Sequence, residues 1–195
     1  MSLDGEVAEY LDVVDVHNEL TGETVLRSTA HAKGILHRTV YVIAYNSKGE
    51  MLLQRRHFNK AISGGCWDLS AAEHLNQKEA YADAALRGLK EELGVDPQAV
   101  KQSLEQVLPP SLHSLHIKTA SGKKINDQEF VPLYRCDYEG PVHPDNLEVS
   151  ETRWVSEQTL LEEVHADRSK FTPWFIETLE LLGKLDFRLQ LAGVA

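Results

Sequence analysis

Glu91 and Glu92 stand side by side in ALRGLKEELGV, the stretch from Ala85 to Val95. On a helix Gly88, Glu91 and Glu92 are neighbours at i, i+3 and i+4, so the spacing predicts both carboxylates on one side of a turn. Like charges there repel, and a helix that only packs gains nothing from them. A hard cation offsets the repulsion: Mg²⁺ takes carboxylate oxygens, keeps several waters and bridges to substrate phosphates. Arg87, on the adjacent flank, could orient one carboxylate or contact a phosphate. A solvated Glu–Lys helix surface is the competing account, and on these residues alone it is the better one. Gly88 needs its own reason, because glycine inside a helix costs roughly 0.5–1 kcal/mol relative to alanine.

The elements that would position these residues follow from periodicity. Between Lys78 and Leu93, Ala82, Ala85, Leu86, Leu89 and Leu93 fall on one helical face, and Gly94 is a stop signal. Upstream, HRTVYVIAY alternates Val40, Val42 and Ala44 with Tyr41, Ile43 and Tyr45; NSKGE turns the chain and MLLQRR returns it. YLDVVDVHNELTGETVLRST reads as two short strands around a turn, and GGCWDLSAA as glycines followed by a short strand. EFVPLYRCDY and ETRWV read as further strands, with Pro132 arguing for an edge or a bulge in the first. SEQTLLEEVHAD and TPWFIETLELLGKL read as helices, and HSLHIKTASGKKINDQ as a long polar loop. Strands in the middle flanked by helices predict an α+β fold with a mixed sheet.

Composition bounds the function. The chain has 195 residues, which suits one domain spanning 1–195, and a formal net charge of −10. That charge opposes a nucleic-acid-binding face. The N-terminal MSLDGEVAEYL has neither a cationic nor an apolar signal region, and no run approaches the ~18 apolar residues of a membrane span. Cys66 and Cys136 form no CxxC pair and read as two buried thiols rather than a disulfide. The expectation is a cytoplasmic protein with no membrane partner, for which a homodimer is compatible.

The segment GGCWDLSAAEHLNQKEAYADAALRGLKEELGV, within residues 64–95, resembles the Nudix box, a loop–helix–loop motif. Glu79, Arg87, Leu89, Glu91, Glu92, Gly94 and Val95 match at the box spacing, while Glu73 stands where the box has glycine and Gly88 where it has glutamate. LLQRR, WDLS, RWV, TPWF and the N-terminal strand extension, residues 1–36, look like the Nudix subgroup related to type I isopentenyl-diphosphate isomerase. The resemblance implies a Nudix α/β/α sandwich and hydrolysis of a diphosphate joined to another group. It implies Glu91 and Glu92 as ligands of Mg²⁺ or Mn²⁺, and Glu79 and Arg87 as residues holding the loop–helix–loop together. Arg55 and Arg56 become candidates for phosphate contacts, with edge-strand charge as the plain alternative. Trp67, just before the box, becomes a candidate for stacking on substrate, whereas Trp154 and Trp174 read as core residues. Gly88 reads first as a lost ligand; the alternative is that it makes room for something.

A second constellation comes from the same resemblance. The isomerases hold a metal with three histidines and two carboxylates; His31, His37, His74, Asp127 and Glu129 match those positions. Such a set suits Zn²⁺, Mn²⁺ or Fe²⁺ better than Mg²⁺. Each histidine alone reads better as a hydrogen-bonded structural residue. The isomerase cysteine corresponds to Ala72, which carries no proton for allylic isomerisation. The leading expectation is therefore a metal-dependent hydrolase of a small diphosphate, such as a nucleoside diphosphate derivative. A silent Nudix domain that binds a phosphorylated ligand comes second, and an isomerase third.

Overall fold

A computed structural model of the chain describes residues 9–118, 122 and 124–185. Residues 1–8 of the N-terminal extension and 186–195 of the expected single domain lie outside the described residues. The described elements run β1 (Tyr10–Val14), β2 (Leu20–Leu26), α1 (Arg27–Lys33), β3 (His37–Tyr45), β4 (Met51–Arg56), β5 (Trp67–Asp68), β6 (Ala71–His74) and α2 (Tyr81–Leu93). They continue with α3 (Pro97–Val100), β7 (Glu105–Lys118), β8 (Lys124–Asp137), β9 (Val149–Val155), α4 (Glu157–Ala166) and α5 (Pro173–Leu181).

The strands β1 and β2 form a small antiparallel pair. The main sheet runs β5-β4-β3-β8-β7, with β6 also paired to β3 and β9 to β4. The β3–β8 pair is parallel and the others antiparallel, so the sheet is mixed, as the sequence predicts.

The alternation along β3 sorts the core into two layers, because successive side chains of a strand point to opposite faces. Val40, Val42 and Ala44 pack with Ala84, Ala85, Leu89 and Leu93 of α2. Tyr41 and Ile43 pack with Leu160 and Val164 of α4 and with Phe175, Ile176 and Leu179 of α5. This is the expected α/β/α sandwich.

Two elements differ from the sequence reading. Residues 105–118 form β7, the outer partner of β8, where the sequence reading has a polar loop beginning at His113; positions 119–121 and 123 of that loop are outside the described residues. As the last strand on its side of the sheet, β7 tolerates polar side chains, which hides its period. Pro132 lies in β8, between β3 and β7, so of the two expected settings, edge or bulge, it takes the second: a register shift between Leu108 and Ser111 of β7 faces it. The first three residues of α1, Arg27 to Thr29, belong to the stretch whose sequence reads as strand. The helix has no side-chain cap at its N-terminus and buries only Ala30 and His31, so no amphipathic pattern announces it.

The helix α2 begins at Tyr81 rather than Lys78, and its buried face is Ala84, Ala85, Gly88, Leu89, Glu92 and Leu93. Gly88 and Glu92 therefore belong to the packed face, and Ala82 does not. Gly94 closes the helix in the left-handed region at φ 66°, its N–H bonded to Lys90 O. Both cysteines are free thiols; Cys136 is buried, and Cys66 is half-buried rather than buried.

Candidate metal centre and substrate cavity

On β6 the strand period separates two sites. Ala71 and Glu73 face Gly88 of α2, whereas Ala72 and His74 face a cavity of about 210 Å³ on the other side of the sheet. His37, Thr39 and Tyr41 of β3 and Asp127 and Glu129 of β8 share that side, and α1 adds Arg27 and His31. All except His37 line the cavity, together with Arg56, His113, Trp174 and Glu177.

His31, His37, His74 and Glu129 each offer one donor atom, and these four atoms lie within 4.8 Å of one another. His31 Nε2 is 3.1 Å from His74 Nε2. Glu129 Oε1 is 3.2 Å from the Nε2 atoms of both His37 and His74. Donors held about 2.1 Å from one ion sit about 3.0–3.4 Å apart, so the spacing fits a shared cation. His37 Nδ1 bonds the Ile35 carbonyl at 2.9 Å, which places its proton there and turns the Nε2 lone pair toward the cluster. Thr39 Oγ1 donates to Glu129 Oε1 at 2.8 Å.

Asp127 Oδ1 is the orphan of the group. It is buried without a hydrogen-bond partner, 3.7 Å from His31 Nε2 and 3.6 Å from His37 Nε2. A buried carboxylate oxygen without a donor is costly unless something positive reaches it.

The electrostatics of His31, His74 and Glu129 agree with a ligand set, and only His37 is drawn toward its charged form. Burial, then the neighbouring His74, pull His31 down to about 3, so it is a neutral imidazole at physiological pH. Burial, then Arg27, lower His74 as well. Burial acts in the same direction on His37, but the Glu129 hydrogen bond and charge outweigh it and leave His37 raised. Burial and the adjacent Glu129 push Asp127 up to about 7. Burial would raise Glu129 too, but hydrogen bonds from His37 and His74 hold it well below the ordinary range.

The box residues lie across β6 from this centre. Arg87 binds Glu79 through two nitrogens, at 2.9 and 2.8 Å, and donates to the His74 carbonyl at 2.6 Å. It thereby ties the loop before α2 to the strand that carries a cluster histidine. Glu91 and Glu92 do not share one environment. Glu91 is exposed and pairs with Arg87 at 3.2 Å, whereas Glu92 is buried. The two oxygens of Glu92 accept from Gln54 Nε2 at 2.5 Å and from the Ala72 N–H at 3.1 Å. Burial is the main cause that lifts Glu92 to about 8. The box end is therefore less ready for a cation than the histidine centre.

The remaining candidates divide. Arg56 lines the cavity; its Nη1 is 3.4 Å from the buried Asp68 and its guanidinium lies over the Trp174 ring at 5.1 Å. Arg55 points elsewhere, donating to the Gly65 carbonyl at 2.9 Å and pairing with Glu151 at 3.4 Å. Trp67, expected near substrate, has the guanidinium groups of Arg153 and Arg55 over its ring, 4.2 and 5.8 Å from its centroid, and does not line the cavity. Trp174, expected in the core, lines it instead, with Nε1 bonded to Asp68 at 2.9 Å.

Sequence reasoning missed Asp68, His113 and Glu177. His113 Nδ1 lies 3.1 Å from Glu177 Oε2, so a carboxylate orients an imidazole on the cavity wall. An aspartate set between Trp67 and Leu69 in a short strand was the one available signal, for Asp68. His113 lay hidden in the misread loop.

The NUDIX domain model matches residues 35–175. An isopentenyl-diphosphate Delta-isomerase of Burkholderia multivorans is 34% identical over 175 residues, covering 90% of this chain and 93% of that one. An uncharacterized Nudix hydrolase of Pseudomonas aeruginosa is 27% identical, covering 82% and 85%. Among solved structures, a Deinococcus radiodurans protein superposes with a TM-score of 0.63 at 22% identity, over 82% of this chain and 90% of that one. The NUDIX domain of Shewanella oneidensis NrtR, solved with ADP ribose, gives 0.51 at 17%, over 74% and 83%. With the matched region spanning both faces of the sheet and the box helix, this chain belongs to the NUDIX domain family.

Proposed function

We propose that this chain is a divalent-metal-dependent hydrolase of a small diphosphate ester, with its reacting centre at His31, His37, His74, Asp127 and Glu129. The observation that carries the reading is the convergence of four ligand atoms, beside an unpartnered Asp127 oxygen, on a cavity with arginines in its wall. When bound, a divalent cation neutralises charge developing on a phosphoryl oxygen.

The protein's own residues do the rest. Arg27 and Arg56 meet the diphosphate oxygens, and Asp68 aims Arg56. Tyr41, Ile62, Leu115 and Trp174 give the non-phosphate group an apolar, partly aromatic wall. His113, held by Glu177 through Nδ1 and by the Ser111 hydroxyl through Nε2, gives the wall a fixed polar group. The helix α1 belongs to the same functional unit, since it supplies both His31 and Arg27. Glu91 and Glu92 form a second, weaker place for Mg²⁺ or Mn²⁺ at the end of α2.

Several relatives are named isomerases, but Ala72 puts a methyl group on the cavity wall where allylic isomerisation needs a proton carrier. Gly88 supports a second reading, a domain that binds a phosphorylated ligand without cleaving it. A panel of nucleoside diphosphates, nucleotide sugars and prenyl diphosphates, incubated with Mg²⁺, Mn²⁺ or Zn²⁺ and scored for phosphate release, separates the readings. Metal-dependent release from at least one compound is expected. Binding of panel members without release favours the silent domain.

A further inference from the structure

The two departures from the box, Glu73 and Gly88, touch each other. A Cβ on Gly88 would lie 2.9 Å from the Glu73 Cβ, 3.5 Å from its Cγ and 3.6 Å from the Ala71 Cβ. The 2.9 Å approach is closer than two side-chain carbons tolerate, and both atoms sit next to backbone. Gly88 is buried, so a side chain there cannot swing into water. Gly88 therefore makes room for Glu73, the alternative to a lost ligand.

Glu73 uses that room. Its carboxylate lies 3.3 Å from Arg87 Nη1, beside the contact of the same nitrogen with Glu91. Another Arg87 nitrogen, Nη2, holds the His74 carbonyl at 2.6 Å. A charge thus reaches the box from β6, on the residue preceding a cluster histidine.

We propose that Glu73 and Gly88 are a reciprocal exchange, in which the carboxylate absent from α2 at position 88 is supplied from β6 at position 73. In its new place Glu73 is a positioning residue: it holds Arg87, and Arg87 fixes the backbone of His74. The link to His74 rests on the metal-centre reading above, whereas the exchange itself does not.

The exchange is tested by thermal unfolding of four metal-free proteins: the parent, Gly88→Glu, Glu73→Gly and the double variant. Overpacking predicts that Gly88→Glu lowers Tm by about 3–10 °C. Glu73→Gly alone also lowers Tm, by removing a side chain and its ion pair. Added to Gly88→Glu, it raises Tm, because it clears the clashing Cβ. Additive losses in the double variant, or a Gly88→Glu protein as stable as the parent, overturn the exchange.

The link to His74 is tested by titrating Co²⁺ and following its visible absorption. Glu73→Gln keeps the shape and removes the charge. Its Co²⁺ affinity is expected to fall about 3–10-fold, below the range for partners that bond a ligand directly. The double variant, with a carboxylate returned to α2, recovers to within about twofold of the parent, on the same positioning logic. Parent-like affinity in Glu73→Gln reduces Glu73 to a spacer. A parent that shows no Co²⁺ absorption overturns the link together with the metal centre, and the unfolding cycle then judges the exchange alone.

Discussion

Replacing Glu92 by glutamine should abolish an alkaline loss of stability. The carboxyl of Glu92 is buried, and burial, opposed by Gln54 and assisted by the nearby Glu73 charge, lifts it from 4.5 to about 8. A carboxyl with a raised folded value is held protonated by the fold while the unfolded chain has already released its proton. Stability therefore declines as pH rises from about 4.5 towards 8, and levels off above. At about 1.4 kcal/mol per pH unit the whole interval amounts to on the order of 5 kcal/mol, an upper bound for a single rigid site. Glutamine keeps the size, accepts from the Ala72 N–H through its oxygen, and does not titrate. Urea unfolding with chelator present, from pH 5 to 9, should show the parent falling relative to Glu92→Gln, with most of the divergence complete by about pH 8. Mg²⁺ should raise the parent's midpoint more at pH 9 than at pH 7, since ionised Glu92 then offers a ligand. Parallel profiles for the two proteins would refute the assignment of Glu92 as a buried, proton-bearing acid.

Three further outcomes follow. With Ala72 in place of a proton carrier, the protein should incorporate no deuterium from heavy water into isopentenyl or dimethylallyl diphosphate; catalysed incorporation into either would overturn the chemistry assigned to the cavity. Asp68→Asn should raise KM for the diphosphate about tenfold with a smaller change in kcat, because it frees the Arg56 guanidinium; an unchanged KM would remove Arg56 from substrate binding. Burial lowers His31 to about 3 from an ordinary 6.5, so the unfolded chain takes up this proton first. Its contribution to metal-free stability is full above about pH 6.5 and is lost as pH falls towards 3. His31→Asn should flatten that part of the urea profile, and an unaltered acid limb would contradict it.

Much of the fold was legible because its signals are local. The alternation of β3 sorted the two core layers, and Gly94 marked the end of α2. The box spacing placed Glu79, Arg87, Glu91 and Glu92 on one loop and helix. Periodicity could not join residue 31 to residue 129. Only the resemblance did so, and the structure brings His31, His37, His74 and Glu129 within one small volume with Asp127 beside them. What stayed hidden depends on tertiary packing. The helix α1 buries one face through Ala30 and His31 alone, too few residues to show a period. The polar strand β7 is supported by its partner β8, so its residues need not alternate. Glu91 and Glu92 looked equivalent because helix spacing is blind to which position faces the sheet. The exchange of Trp67 for Trp174 at the cavity has the same origin: the hydrogen bond from Trp174 to Asp68 joins residues far apart in the chain, which no local pattern shows.

The central claim is the position of the metal. Crystals grown with Zn²⁺ and measured across the zinc absorption edge would locate it by anomalous scattering. The dominant peak is expected about 2.0–2.2 Å from the Nε2 atoms of His31, His37 and His74 and from a Glu129 oxygen. A dominant peak at the Glu91–Glu92 end of α2, with none among the histidines, would contradict it.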